Sequence, residues 1–256
     1  MLDLPLSGGL GAHLVSFGLL FFRATALFSV APIFSARPIP ARVRVALALL
    51  VSAAASASMP PIDAAAFGAD ALLPVIARET LLGLVVGGTA RAFLEAAQAA
   101  GHTLGLSAGL GFGATVDPTN GAPSTAVGEM INLLALAAAV SLGLHRELIA
   151  WFCASALEHP PGSFIDSWSL AEHAVRSAIE ATALAVRLAL PVAAATTCAH
   201  VIVGLVSRSV PQMSLGNIGF AIPLLAGGWA FSLGIEDMAA MVARATVEAV
   251  RAFSDG

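Results

Sequence analysis

Gly105, Leu106, Ser107, Ala108 and Gly109 spell G-x-S-x-G, the spacing that presents a nucleophilic serine in hydrolases, and His200 is the histidine that would have to serve it. That chemistry needs the serine on a sharp turn between a strand and a helix. Here the pentad lies inside a run of glycines at every fourth residue, Gly101, Gly105, Gly109 and Gly113, echoed earlier by Gly83 and Gly87. The reading adopted is a bare helix face on which another backbone packs closely, and serine catalysis is set aside. The other reactive groups form no constellation. Six histidines are scattered without a metal-ligand spacing. Cys153 and Cys198 lie unpaired in apolar stretches and are expected to be small buried hydrophobes. All the basic residues are arginine, so the G-x-x-x-x-G-K phosphate loop of an ATPase is excluded. No catalytic residue, cofactor or metal is expected.

Charges inside apolar stretches are the other residues with chemistry to offer: Arg23, Arg78, Glu79, Glu129 and Arg187. Within a bilayer such groups face a protein interior or an aqueous path, and they are functional by default. Arg187 lies near a segment end, where its guanidinium can snorkel to the interface. Arg78 and Glu79 are expected to make buried contacts, and Arg23, Arg78, Glu79 and Glu129 are expected at contacts between subunits.

Elements must exist to hold these groups, and composition says which. The chain of 256 residues is 58% hydrophobic and 11% charged, with a mean hydropathy of +0.88, whereas soluble proteins carry about 25% charged residues. In lipid the backbone must satisfy its own hydrogen bonds, which selects helices. The expected fold is all-α, a multipass protein of helical hairpins forming one domain over residues 1–256. Apolar runs occur at about 14–36, 45–59, 72–90, 127–144, 184–206 and 215–235, against roughly 20 residues per bilayer span. Joints carry turn residues: Pro38 and Pro40, Pro60 and Pro61, the Asp117–Gly121 stretch, Pro160 to Gly162, and Ser207 to Gln212. A tail from Glu236 to Phe253, with Met238, Met241, Val242, Ala245, Ala249 and Phe253 at helical spacing, reads as a separate amphipathic helix. Glu236 and Asp237 at its start and Arg244 and Arg251 toward its end would suit the helix dipole.

The first run inserts unaided: its apolar residues each contribute roughly −0.3 to −0.6 kcal/mol and outweigh roughly +3 for Arg23. The run holding Arg78 and Glu79 sums close to zero on the same scale, so that helix needs a partner. Only Asp3 is charged before the first run, so no cleaved leader is expected and the first helix stays. Net charge is −4, and the basic cluster Arg37, Arg42 and Arg44 fits a cytoplasmic loop; nucleic-acid binding is excluded for want of a basic footprint.

With these residues in place the chain resembles the FliR family of flagellar type III export-gate proteins, itself related to an injectisome family. Four patches carry the resemblance: Arg23 with Ala31, Pro32, Ile33, Phe34, Ile39, Pro40, Arg42 and Arg44; the glycine run with Asp117 and Pro118; Pro160, Pro161 and Gly162; and Leu190 with Pro191 leading to Gly204, Ser207, Arg208, Pro211, Gln212, Gly219, Phe220 and Pro223. The resemblance implies a multipass inner-membrane protein of the flagellar basal body. It would assemble with FliP and FliQ homologues into a conduit for unfolded export substrates, with FlhA and FlhB homologues docking nearby. It implies as well that hydropathy overstates how many helices touch lipid, and that Phe112, Gly113, Asp117, Pro118, Asn120 and Gly121 belong to a loop that closes the conduit. Alanine-rich helices and the Ser214–Asn217 stretch depart from the family pattern and keep the injectisome subunit as an alternative. A small-solute secondary transporter is the rival from another class; broken helices and intramembrane charges fit it, but no repeat of one half in the other is visible.

Overall fold

The computed structural model describes residues 9–36, 39–59, 69–107, 126–163, 167–209 and 216–253. Among them there are seven helices and no strand: α1 (Gly9–Val30), α2 (Ala41–Ala57), α3 (Ala69–Ser107), α4 (Ala126–Ser141), α5 (Leu144–Glu158), α6 (Ser167–Ser209) and α7 (Gly216–Arg251). Every apolar run found in the sequence contributes to a helix. Three helical stretches, Gly11–Val30, Leu72–Leu106 and Ser167–Ser209, are long and apolar enough to cross a membrane, or four if the bent pair α4 and α5 counts as one. The six runs therefore exceed the long spans, in part because α2 has only 17 residues, short of the roughly 20 a bilayer requires.

Local chemistry explains the boundaries. After α1 the chain makes tight turns in which the Phe34 and Ser35 amides return to the Ala31 carbonyl, and the Phe34 ring meets Phe28 edge-on at 4.7 Å. Pro40 caps α2 with φ −60 and ψ 146, its carbonyl taking the Val43 amide; proline has no N–H to waste at a helix start. Small residues on one face of α2, Ala48, Ser52, Ala55 and Ser56, are buried, and α2 packs against α1.

The apolar run at 127–144 is divided near its end between two helices, α4 and α5, bent by 58°. Gly143 stands at the break with φ +87, a left-handed conformation that only glycine adopts cheaply. In the opposite sense, the sixth apolar run and the tail are one helix, α7, because nothing at Gly234 to Asp237 interrupts the backbone ladder. Glu236 and Asp237 are consequently interior to a helix and do not meet a dipole terminus. The tail is amphipathic, but its buried face is rotated from the expected one. Met238, Val242, Ala243, Val247 and Val250 are buried, while Met241 is exposed.

Two units emerge. The first gathers residues 1–92, 143–178 and 246–256, with a core built on Leu20, Leu27, Phe28, Val86, Leu144, Leu148 and Phe152. The second gathers residues 93–142 and 179–245, with Ala97, Ile131, Ala135, Leu188 and Val242 among its buried side chains. The buried stripe of α6, Ala181, Leu184, Leu188, Val192, Thr196 and Ala199, recurs at three- and four-residue steps as one helix face should.

Candidate functional site

Two helices of the first unit approach along a seam of glycines. A Cβ on Gly83 would collide with the Arg23 carbonyl oxygen and stand 3.0 Å from both Ala26 Cβ and Leu27 N. A Cβ on Gly87 would come within 2.8 Å of the Leu27 carbonyl and 3.3 Å of the Ala31 amide. The contacts advance by one turn on each helix together, so α1 and α3 run parallel here. One turn before Gly83 on the same face is Glu79, and the closeness that glycine permits brings it to Arg23.

The two side chains form a fully enclosed ion pair, Arg23 Nε to Glu79 Oε2 at 2.6 Å, with exposures of 0% and 1%. Taking both charges out of water costs several kcal/mol each, and such a pair is tolerated only when its remaining hydrogen-bonding groups are also met. They are met by the end of α5 and the turn after it. Arg23 Nη1 donates to the Ser155 carbonyl at 3.0 Å and to Ser155 Oγ at 3.2 Å, and Nη2 donates to the His159 carbonyl at 3.2 Å. Glu79 Oε1 accepts the Gly162 amide at 2.9 Å. The Ser155 carbonyl also takes the His159 amide at 3.0 Å, so Arg23 shares it; the end of the helix carries the negative end of its dipole, so a guanidinium suits that place.

Pro160, Pro161 and Gly162 supply the geometry for this closure. The Ser163 amide returns to the Pro160 carbonyl at 2.9 Å, and Gly162 has φ +84. Those features define a type II turn, with proline at its second position and glycine at its third. The cluster thus ties α1, α3 and the α5 end through two side chains and four backbone or hydroxyl groups. Neither charge reaches solvent, and the arrangement is a clamp.

The other expected site residues lie as follows. Arg78, adjacent to Glu79 in sequence, is half-buried on another face of α3 and lines a groove with Leu81, Val85, Ser167, Leu170 and Ala171. Glu129 is exposed near the start of α4 and accepts a long hydrogen bond from Gln98 Nε2 at 3.5 Å. Arg187 is exposed on α6. In the second unit Gly101 packs on Gly128, whose Cα would lie 2.6 Å from an added Cβ, and Gly105 is buried; Gly109 and Gly113 lie outside the described residues. So does the whole stretch from Phe112 through Asp117, Pro118, Asn120 and Gly121.

Of the motif positions, Pro32 is in the turn after α1, and Arg44 Nε in α2 is buried without a hydrogen-bond partner among the described residues. Pro191 is inside α6 and Arg208 in its last turn. Gly219 faces Val203, which brings the start of α7 beside the end of α6, and Pro223 is inside α7. Pro211 and Gln212 are outside the described residues. Ser107 ends the helix α3, and His200 Nδ1 lies 2.7 Å from the carbonyl of Thr196 on its own helix, so neither stands in the strand-turn-helix setting a serine nucleophile requires. The two cysteines, expected to be buried, are both exposed, each turned to the outward face of an apolar helix. The pairing of Arg23 with Glu79 across 56 residues was not readable from spacing. Its one sequence signal was the set of glycines four and eight residues beyond Glu79.

Residues 14–249 match the family model described as bacterial export proteins, family 1. The chain is similar to the flagellar biosynthetic protein FliR of Escherichia coli K12, 30% identical over 224 residues that cover 86% of this chain and 81% of that protein. It is similar to the flagellar biosynthetic protein FliR of Pectobacterium carotovorum, 28% identical over 211 residues, 81% of this chain and 79% of the relative. With the flagellar biosynthetic protein FliR of Bacillus subtilis 168 it shares 27% identity over 216 residues, 82% of each chain.

Proposed function

This chain belongs to the bacterial export proteins, family 1, and from that premise we propose that it is a non-enzymatic subunit of the flagellar type III export gate, seated in the inner membrane at the basal body. It does no bond chemistry; it contributes helices to a shaped path for unfolded flagellar subunits. FliP and FliQ homologues complete that path, and FlhA and FlhB homologues dock beside it.

The observation that carries this reading is the contrast between a closed interior and an uncovered apolar exterior. Arg23 and Glu79 are consumed within the chain, yet only 22% of the apolar window of α6 is buried. Leu190, Val201 and Leu205 on α6, and Leu225, Trp229 and Leu233 on α7, are all more than half exposed. Apolar patches of that extent mark contacts with lipid or protein, and Arg44 Nε, buried and unpaired among the described residues, marks another unfinished place. Glu129 and Arg78 remain candidates for subunit contacts. The loop from Phe112 through Gly113, Asp117, Pro118, Asn120 and Gly121 is assigned to closing the conduit, and the glycine run Gly101, Gly105, Gly109 and Gly113 to holding a neighbouring helix tight behind it. Glycines there permit unusual backbone angles, and proline stiffens the bend.

The test is to express the chain with and without the candidate siblings and weigh the detergent-solubilised particle. An export-gate subunit enters a large mixed complex at one copy and behaves poorly alone. A monodisperse particle that takes up a metabolite by itself would overturn the reading. For the loop, removing residues 112–122 from an assembled complex should raise membrane conductance to ions, and unchanged conductance with normal assembly would refute its role as a seal.

A further inference from the structure

The outward side of α3 changes character along the helix. In its first half the exposed side chains include Leu73, Leu81 and Leu84. In its second half they are Glu95, Ala99 and Thr103, with Gln98 and His102 half-buried beside them. Recurrence at three and four residues keeps these five on one side of the helix, over about 12 Å at 1.5 Å per residue. At the edge of this band Gln98 reaches Glu129 of α4. His102 Nδ1 is enclosed yet has no hydrogen-bond partner among the described residues, and water is the usual partner of such an atom when the protein supplies none. Lipid is a poor neighbour for the band, because ionisable groups on membrane helices turn to a protein interior or a water-filled cavity. Open solvent all round fits no better. At the same level, where Gly101 packs on Gly128 and Ile131, α4 exposes Met130, Leu133 and Leu134, which call for lipid or protein. A narrow polar band flanked by hydrocarbon is what the wall of an aqueous channel presents. The same packing sets the end of α3 at Ser107 beside the start of α4 at Ala126, the two ends between which residues 108–125 run.

We propose that Glu95, Gln98, Ala99, His102 and Thr103 of α3 line the aqueous path of the assembled conduit. The identity of that path rests on the export-gate reading; the water-facing character of the band does not. An unfolded chain in transit carries unpaired backbone N–H and C=O groups that need partners. A wall of carboxylate, amide, imidazole and hydroxyl groups holds water beside them and offers the passing side chains no broad apolar face on which to settle. An apolar face of a sibling helix in the same place would instead leave the band's polar groups, His102 Nδ1 among them, without partners.

The test places single cysteines in the full chain within its assembled particle, on a background of Cys153→Ser and Cys198→Ser, at Ala99→Cys and Thr103→Cys, with Leu133→Cys as the apolar control. Each particle is treated with a small charged methanethiosulfonate and with a maleimide carrying a long polyethylene glycol chain. Ala99→Cys and Thr103→Cys should be fully modified by the small reagent, with loss of modification by the bulky one, and Leu133→Cys should resist both. Resistance of both band positions to the small reagent would mean that a sibling subunit or lipid covers them, and overturns the proposal. Equal modification by the two reagents would place the band on an outer solvated face, and overturns it as well. In a complex lacking residues 112–122, the small reagent on Ala99→Cys should reduce the ion current, and an unaltered current overturns the lining role. A complex lacking those residues that carries no current at all counts against the export-gate reading of the loop and leaves the modification pattern to decide whether the band faces enclosed water.

Discussion

Arg23 and Glu79 are worth more to the protein together than either is alone. Removing one partner leaves the other charge buried and uncompensated, which costs about 3–5 kcal/mol. Arg23→Met and Glu79→Met should each lower the thermal unfolding midpoint of the assembled particle sharply. Replacing both by methionine should cost clearly less than the sum, and full additivity in that double-mutant cycle would show the pair to be energetically inert. Gly162→Ala keeps the amide that Glu79 accepts but forces a Cβ into left-handed backbone, a penalty of roughly 1–2 kcal/mol; the same melts read it. The pair of Glu147 with Arg251 behaves differently although its 2.6 Å contact is as short. Arg251 is 54% exposed, and exposed pairs contribute only about 0–1 kcal/mol. Arg251→Ala should hardly move the midpoint, and its small effect should fade in high salt.

At the scale of helices, glycine position decides what a methyl group does. Gly83→Ala places a Cβ against the Arg23 carbonyl and pushes α1 from α3, whereas an added Cβ on Gly88 meets nothing within 4 Å. The first substitution should destabilise and lower accumulation in the membrane. The second should be neutral or stabilise by up to about 1 kcal/mol through helix propensity, and equal outcomes for the two would contradict the seam. This contrast also shows what was legible beforehand. Apolar runs and their proline and glycine joints placed the helices, and the near-zero insertion sum around Arg78 and Glu79 indicated that α3 needs a partner. Which partner depended on the parallel register of α1 and α3, a tertiary quantity with no local signature. The bend at Gly143 was hidden because glycine within an apolar run reads equally as helix interior. The fusion of the sixth run with the tail was hidden because a change of polarity was taken for a change of element, whereas only the backbone ladder decides where a helix ends. Gly128, the counterpart of Gly101, carried no signal because it sits alone on α4.

For the molecule as a whole, the apolar side chains left exposed along α6 and α7, beside an Arg23–Glu79 pair already closed within the chain, predict a protein that is stable only in company. Tagged and solubilised with its siblings it should run as one copy in a large particle, and expressed alone it should be lost to aggregation or degradation; a well-behaved solitary form would contradict this. The family and the all-helical architecture were within reach of the sequence because they are written in motifs and composition. The division into two units was not, since each is assembled from stretches far apart in the chain.

That interleaving sets a timetable for biosynthesis. Arg23 leaves the ribosome 56 residues ahead of Glu79 and 132 ahead of Ser155. While translation covers that distance, the first helix must enter the membrane with its cation unmatched, shielded by water or by the insertion machinery. A message truncated before Glu79 would strand that charge for good and hand the fragment to membrane proteases, whereas one truncated before the Pro160–Gly162 turn would deprive Glu79 of the Gly162 amide.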